Sequence, residues 1–300
     1  MAKKAPISLV KSTLSATASG DAELVRNPGM ALDLQHLDKI RVNKSAVVRR
    51  CAGYGARRSI KKQQQAAWLL KAISLIDLTT LSGDDTEDRV KRLCSKAKQP
   101  VGMALQRQLG IEAMNLSTAA VCVYHEMLGA ACESLAGSGL HLAAVSTGFP
   151  AGLSPLPLRI AEIEYSVAAG ADEIDIVISR RHVLEGNWQA LYDEVKAFRK
   201  ACGPAHLKTI LATGELGNLA NVAKASMVCM MAGADFIKTS TGKETENATL
   251  VVSLVMVRMI REYFLLTGFY IGFKPAGGVS DSKTALLYMT MMQEELGRRW

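Results

Sequence analysis

Asp235-Phe236-Ile237-Lys238-Thr239-Ser240-Thr241-Gly242-Lys243 sets a lysine inside a short apolar run and follows it with a small, hydroxylated, glycine-containing turn. One unit later, Ile271-Gly272-Phe273-Lys274-Pro275-Ala276-Gly277-Gly278 repeats the arrangement, with a lysine ending an apolar run and paired glycines beyond it. Working outward, β-branched or apolar runs recur at Ala72–Leu78, Thr118–Tyr124, Ala143–Thr147, Glu173–Ile178, Leu207–Ala212, Phe236–Thr239 and Tyr270–Phe273. All but the last precede a segment of helical spacing, such as Leu158–Ala169, Trp188–Cys202, Leu219–Ala232 and Thr249–Leu265. Strands alternating with helices predict an α/β protein with a parallel sheet and right-handed crossovers. Asp77, Asp175, Lys208, Lys238 and Lys274 each lie within or at the end of such a run. In a closed barrel the C-terminal strand ends converge on one mouth, so five positions far apart in sequence can share a site. An open doubly wound sheet would normally carry a Gly-rich first turn, and none follows Asp77. The expected architecture is a TIM (β/α)8-type barrel.

The composition, 49% hydrophobic and 21% charged, is that of a folded globular protein. No apolar stretch approaches the roughly 18 uncharged residues that span a bilayer, and Arg258 interrupts Leu250–Ile260. A membrane protein is therefore not expected. The net charge of +8 is local: His36 to Lys62 holds nine basic residues (Lys39, Arg41, Lys44, Arg49, Arg50, Arg57, Arg58, Lys61, Lys62) and one acid, Asp38. With few aromatics interleaved, that segment reads as a solvated helix face rather than a nucleic-acid site. Residues 1–30 are read as a disordered extension, with an organellar targeting sequence as the other reading; 31–70 as a basic helical segment; 71–300 as the barrel. The six scattered cysteines point to a reduced, intracellular chain. The C-x-x-H spacing of Cys122 and His125 lacks a second ligand pair, so no metal is expected.

The chemistry rests on lysines and carboxylates. A P-loop is excluded, because no Gly stands five residues before Gly242 and Glu244 replaces the hydroxyl residue that would hold magnesium. Lys238 and Lys274 on adjacent strands, both pointing into a barrel, would each disfavour protonation of the other, and burial would add to this. A lysine so depressed becomes a free amine able to attack a carbonyl, the nucleophile of a Schiff-base enzyme. In Asp172-Glu173-Ile174-Asp175-Ile176-Val177-Ile178, period-two alternation places Asp175 opposite Ile174 and Ile176, where an acid can shuttle protons.

These residues resemble a known family. Leu75-Ile76-Asp77-Leu78-Thr79-Thr80-Leu81, Ala120-Val121-Cys122-Val123-Tyr124, Gly148-Phe149-Pro150-Ala151-Gly152, Thr213-Gly214-Glu215-Leu216 and the two lysine motifs are similar to the deoxyribose-phosphate aldolases, in their longer animal-type form. The resemblance runs in order from about Leu32 to the end. It implies a class I, cofactor-free aldolase cleaving 2-deoxy-D-ribose 5-phosphate to D-glyceraldehyde 3-phosphate and acetaldehyde, in cytoplasmic deoxyribose phosphate catabolism. It puts the Schiff-base lysine at Lys238, the second lysine at Lys274 and the proton-relay acid at Asp175. Asp77 and Lys208 then match further polar site residues, and Gly242, Lys243, Gly277 and Gly278 match parts of a phosphate cradle. The expected partner is a small phosphorylated sugar; a homo-oligomer is left open. Two departures stand out: His125 replaces a proline, and no eighth strand with its phosphate-binding turn follows the seventh helix. The second makes an inactive, aldolase-like interaction protein the alternative reading.

Overall fold

The computed structural model describes residues 26–57 and 61–300. Three helices come first: α1 (Leu34–Lys39), α2 (Lys44–Arg57) and α3 (Lys62–Ile73). Then strands and helices alternate: β1 (Asp77–Thr79), α4 (Glu87–Lys98), α5 (Met103–Leu109), β2 (Ala120–Tyr124), α6 (Leu128–Leu135), β3 (His141–Ser146), α7 (Leu156–Ala168), β4 (Glu173–Val177), α8 (Arg180–Leu184), α9 (Trp188–Cys202), β5 (His206–Ile210), α10 (Leu219–Met231), β6 (Phe236–Lys238), α11 (Leu250–Thr267), β7 (Gly272–Lys274) and α12 (Ser282–Leu296). The seven strands are parallel and lie in sequence order, each bonded to the next. Laid flat, β1 and β7 would stand about 29 Å apart at ordinary strand spacing. Yet Lys274 Nζ on β7 lies 2.7 Å from Asp77 Oδ1 on β1 and donates to Leu75 O at 3.1 Å. The sheet therefore curls into a barrel with one open seam, and among the described residues no eighth strand fills it.

Alternation explains the layering. Ile174 and Ile176 on β4, Leu207 on β5 and Ile237 on β6 are fully buried in the main core, between the sheet and the helices around it. The residues between them, Glu173, Asp175, Lys208 and Lys238, are also buried, but on the inner face. The inside of this barrel is thus polar at its centre and apolar only in places, such as Cys122, Ala143 and Val145. Helix starts follow capping chemistry: Thr86, Asn187, Asn218, Thr249 and Asp281 each accept a backbone N–H at the head of α4, α9, α10, α11 and α12. Gly272 is needed for packing, since a Cβ there would fall on the Phe236 ring of the neighbouring strand.

Three expected boundaries move. The run Ala72–Leu78 is not a strand throughout: α3, rich in helix formers such as Ala66, Ala67, Leu69 and Leu70, continues to Ile73 and β1 begins only at Asp77. At the last run, β7 is Gly272–Lys274, so its lysine lies inside the strand. At the N-terminus, packed chain begins before residue 30. Asn27 is buried and donates from Nδ2 to Met230 O and Ala234 O, both at 2.8 Å, while its backbone N–H reaches Asp235 Oδ1 at 2.7 Å. The remainder of the 1–30 segment, and Arg58 of the basic stretch, lie outside the described residues. Part of that basic charge is used internally. Arg50 on α2 pairs with Glu294 at 2.8 Å and Glu295 at 2.9 Å on α12, and Tyr54 donates to Glu295 at 2.9 Å. These contacts fasten the basic segment to the barrel helices.

Candidate active site

Asp235 begins the lysine motif of β6 and closes the lower end of the barrel. Its carboxylate accepts from Asn27 N at 2.7 Å, Leu207 N at 2.8 Å and Arg199 at 2.8 Å, which locks β5, β6 and α9 together. Further along β6 the two lysine motifs are stitched to each other. Thr239 N donates to Lys274 O at 3.0 Å, and Ala276 N donates to Thr239 Oγ1 at 2.9 Å. Lys238 and Lys274 are register partners across β6 and β7.

The inner side chains form an alternating chain of charge. Lys274 meets Asp77 at 2.7 Å, Asp77 meets Lys208 at 2.8 Å, Lys208 lies 3.5 Å from Asp175 Oδ1, and Asp175 Oδ2 accepts from Lys238 at 2.6 Å. Glu173 branches from it, with Oε2 2.5 Å from Lys208 Nζ but off the hydrogen-bond direction. Three lysines face three carboxylates, so the cluster is neutral when all are ionised. That balance is required, because Asp175 is wholly buried and Lys208 is 1% exposed.

The expected depression of Lys238 is overturned. Burial does push its ammonium towards deprotonation, but Asp175 at 2.6 Å outweighs burial, and Lys238 is held above the ordinary lysine value. Lys274 spends its charge on Asp77, at 2.7 Å, rather than on Lys238. Lys208 shows the same contest more strongly: burial opposes its charge, and Asp175, Asp77 and Glu173 together raise it well above the usual range. For Asp77, burial favours the neutral acid, but Lys208 and Lys274 win and its carboxyl stays well below the usual value. Burial dominates at Glu173, which is raised despite Lys208. It also pushes the Cys122 thiol, on the inner face of β2, up to about 12. Cys122 is fully buried, and His125 stands beyond the end of β2 against the Tyr124 and Tyr165 rings.

At the mouth, the loops after β6 and β7 lie side by side, with Ala248 N donating to Ala276 O at 3.2 Å. Gly277 has φ of 77°, and a Cβ there would strike Asn247; Gly278 has φ of 85°. Gly242, also at positive φ, and Thr241 turn their N–H groups outward, but these are occupied. Thr241 N donates to both Glu244 carboxylate oxygens at 3.0 Å, and Gly242 N donates to Oε2 at 3.2 Å. The Glu244 carboxylate therefore sits where an anion bound by this turn would sit. Lys243 is exposed beside it and, among the described residues, makes no ion pair. Buried polar atoms that have no hydrogen-bond partner among the described residues gather around the same end: Ser146 Oγ, Thr213 Oγ1, Ser240 Oγ, Asn247 Oδ1 and Asp175 Oδ1. Ala212 and Thr147, just past β5 and β3, take left-handed backbone at φ of 54° and 66°, local strain of the kind that concentrates at functional sites.

The structure thus joins Asp77, Asp175, Lys208, Lys238 and Lys274 in one cluster and places Gly242, Lys243, Gly277 and Gly278 in adjoining loops. Two participants are not among the site residues expected from the sequence, Glu173 and Glu244. Glu173 was visible in principle, since it shares the period-two face of Asp175.

Residues 71–298 match the DeoC/LacD family aldolase model. The chain belongs to this aldolase family. It is 57% identical over 274 residues to the deoxyribose-phosphate aldolase of Mus musculus, covering 91% of this chain and 86% of that one. The Homo sapiens enzyme of the same name is 56% identical over 276 residues, covering 91% and 87%. Among solved structures, the deoxyribose phosphate aldolase of Aeropyrum pernix, described as tetrameric, superposes with a TM-score of 0.59 at 24% identity over 81% of this chain and 90% of that one, a likeness of fold. Family membership bears out the barrel expectation, in the form of a seven-stranded, incomplete barrel, and does not favour the reading as an inactive interaction protein. Among the described residues no helix is long and apolar enough to cross a membrane.

Proposed function

We propose that this protein is a Schiff-base aldolase that cleaves 2-deoxy-D-ribose 5-phosphate to D-glyceraldehyde 3-phosphate and acetaldehyde, acting in cytoplasmic deoxyribose phosphate catabolism. The observation that carries the reading is a buried lysine, Lys238, hydrogen-bonded at 2.6 Å to a fully buried carboxylate, Asp175, inside a family aldolase barrel. Lys238 is the proposed nucleophile. Its amine adds to the C1 aldehyde, the carbinolamine loses water, and the resulting iminium draws electrons from the C2–C3 bond. A base must remove the C3 hydroxyl proton as that bond breaks. Asp175, whose Oδ1 has no hydrogen-bond partner among the described residues, is assigned this relay with Lys274 and water. The departing fragment is glyceraldehyde 3-phosphate. The enamine left on Lys238 is protonated at C2, and hydrolysis releases acetaldehyde and the free lysine.

Binding is assigned to the mouth. Lys243 and the N–H groups of Gly242, Gly277 and Gly278 are proposed to hold the phosphate, with Glu244 displaced from the turn as it arrives. Thr213 and Ser240 offer unpaired hydroxyls to the sugar. Asp77 and Lys208, saturated by each other and by their neighbours, are assigned to setting the charge of the site rather than to holding substrate directly. The direct test is acetaldehyde formation from 2-deoxy-D-ribose 5-phosphate by the purified chain. Turnover that disappears in Lys238→Met supports the proposal, whereas undiminished turnover by Lys238→Met rejects Lys238 as the nucleophile.

A further inference from the structure

Asn247 stands between the two loops to which the phosphate is assigned. On one side its Nδ2 donates to Glu244 O at 2.9 Å, which fixes the backbone of the residue whose carboxylate fills the Thr241–Gly242 turn. On the other side it lies against Gly277, where a Cβ would come within 2.6 Å of Asn247 Cβ and Cγ and 2.7 Å of Oδ1. Next to it, Ala248 N donates to Ala276 O at 3.2 Å. Asn247 Oδ1 is buried without a hydrogen-bond partner among the described residues, so the side chain is held by one hydrogen bond and by its packing on Gly277. The backbone between Glu244 and Asn247 is confined from the loop after β5 as well, since a Cβ on Gly214 would overlap Glu246 O.

Building on the proposed phosphate site, we propose that Asn247 is a positioning residue for phosphate release: it keeps Glu244 seated at the Thr241–Gly242 turn, so that the carboxylate competes with a bound phosphate and retakes the turn as the product leaves. The turn cannot serve both anions at once, because Thr241 N already donates to both Glu244 oxygens at 3.0 Å and Gly242 N to Oε2 at 3.2 Å. A carboxylate carried on the same loop competes at an effective concentration set by how tightly its own backbone is held. The bond from Asn247 to Glu244 O, braced on Gly277, is what holds it. Asn247 therefore lowers the affinity of the site for phosphate without touching the phosphate itself.

The chemistry gives such a competitor a use. In the proposed cleavage the fragment that departs first, glyceraldehyde 3-phosphate, carries the phosphate, while the two-carbon enamine stays on Lys238. Tight binding of the phosphate that is equal in substrate and product would slow that departure without speeding the bond cleavage. The turn itself does not depend on Glu244, because Lys243 N donates to Thr241 Oγ1 at 3.1 Å and maintains the bend when the carboxylate swings out. The same pair of loops is tied to the strands that bear the lysines, with Ala276 N donating to Thr239 Oγ1 at 2.9 Å and Thr239 N to Lys274 O at 3.0 Å.

The test is inhibition of acetaldehyde formation from 2-deoxy-D-ribose 5-phosphate by inorganic phosphate and by glyceraldehyde 3-phosphate, in wild type, Asn247→Leu, Glu244→Gln and the double variant. Leu keeps the volume of Asn beside Gly277 and removes the hydrogen bond to Glu244 O. Asn247→Leu should bind both inhibitors about three- to tenfold more tightly than wild type, the size expected for one lost hydrogen bond, with KM falling in step. Because Glu244→Gln already removes the competitor, the double variant should go no more than about twofold beyond either single one. A side chain that merely shaped the cradle would give weaker inhibition when replaced; weaker or unchanged inhibition in Asn247→Leu, or gains that multiply fully in the double variant, overturns the proposal. Should Asn247→Leu not fold, Asn247→Ala, which adds no bulk beside Gly277, carries the same cycle. Failure of the underlying phosphate site looks different: turnover that inorganic phosphate inhibits in none of the four proteins places phosphate binding elsewhere and rejects both.

Discussion

Replacing Lys208 by Met should be the most damaging single change to the folded barrel that leaves the proposed nucleophile in place. Lys208 is 1% exposed and faces Asp77 at 2.8 Å, Glu173 at 2.5 Å and Asp175 at 3.5 Å. Met fills a similar volume, so lost packing is minor. What remains is three buried carboxylates opposed by two lysines. Removing one partner of a buried ion pair typically costs about 3–5 kcal/mol, part of which the cluster recovers by protonating an acid, Glu173 being the readiest. For a protein of this size each kcal/mol moves the melting temperature by about 2–4 °C, so a fall of about 6–20 °C is expected. The double variant Glu173→Gln with Lys208→Met restores neutrality, with Asp77 and Asp175 opposed by Lys274 and Lys238. It should therefore be more stable than the sum of the two single losses, by about 1–3 kcal/mol. Urea unfolding of the four proteins at pH 7 gives the cycle. Strict additivity, or a Lys208→Met loss below about 1 kcal/mol, would refute the charge-balance account.

Two further outcomes follow from the same geometry. Glu244→Gln removes the carboxylate bound by Thr241 N and Gly242 N, so inorganic phosphate should inhibit about three- to tenfold more strongly, measured as competition against the sugar phosphate; an unchanged inhibition constant would remove Glu244 from the phosphate site. His206 is neutral in the fold, with its value lowered to about 4 against roughly 6.5 in the unfolded chain. Its contribution is thus complete above about pH 6.5 and is lost as pH falls towards 4. Wild type should lose about 1–2 kcal/mol more than His206→Gln between pH 7 and 4.5, after allowing for partial solvent screening. Equal losses in urea midpoints would contradict this.

Much of the site was legible because residue type and period carried it. A lysine in an apolar run stands out, two such runs in succession stand out further, and alternation alone put Asp175 on the inner face. What pairs with what was not legible. Asp175 and Lys238 are 63 positions apart and meet only through the register of β4, β5 and β6, so the sign of the shift at Lys238 could not be read from the lysines alone. Glu173 was passed over because strand propensity gives no reason to expect two acids in a buried run; only the facing Lys208 makes the second one tolerable. In the sequence Glu244 only disqualifies a phosphate loop, and it is the fold that brings its side chain back onto that turn. The start of β1 was misplaced for a simpler reason, since Ala72 and Ile73 suit a helix as well as a strand.

The central claim is that Lys238 carries the substrate carbon. Incubating the protein with 2-deoxy-D-ribose 5-phosphate, reducing with borohydride and mapping the added mass tests it. The account predicts an adduct on Lys238, abolished in Lys238→Met, with Lys208 and Lys274 unmodified. An adduct on Lys274, or turnover with no trappable adduct at all, would contradict it.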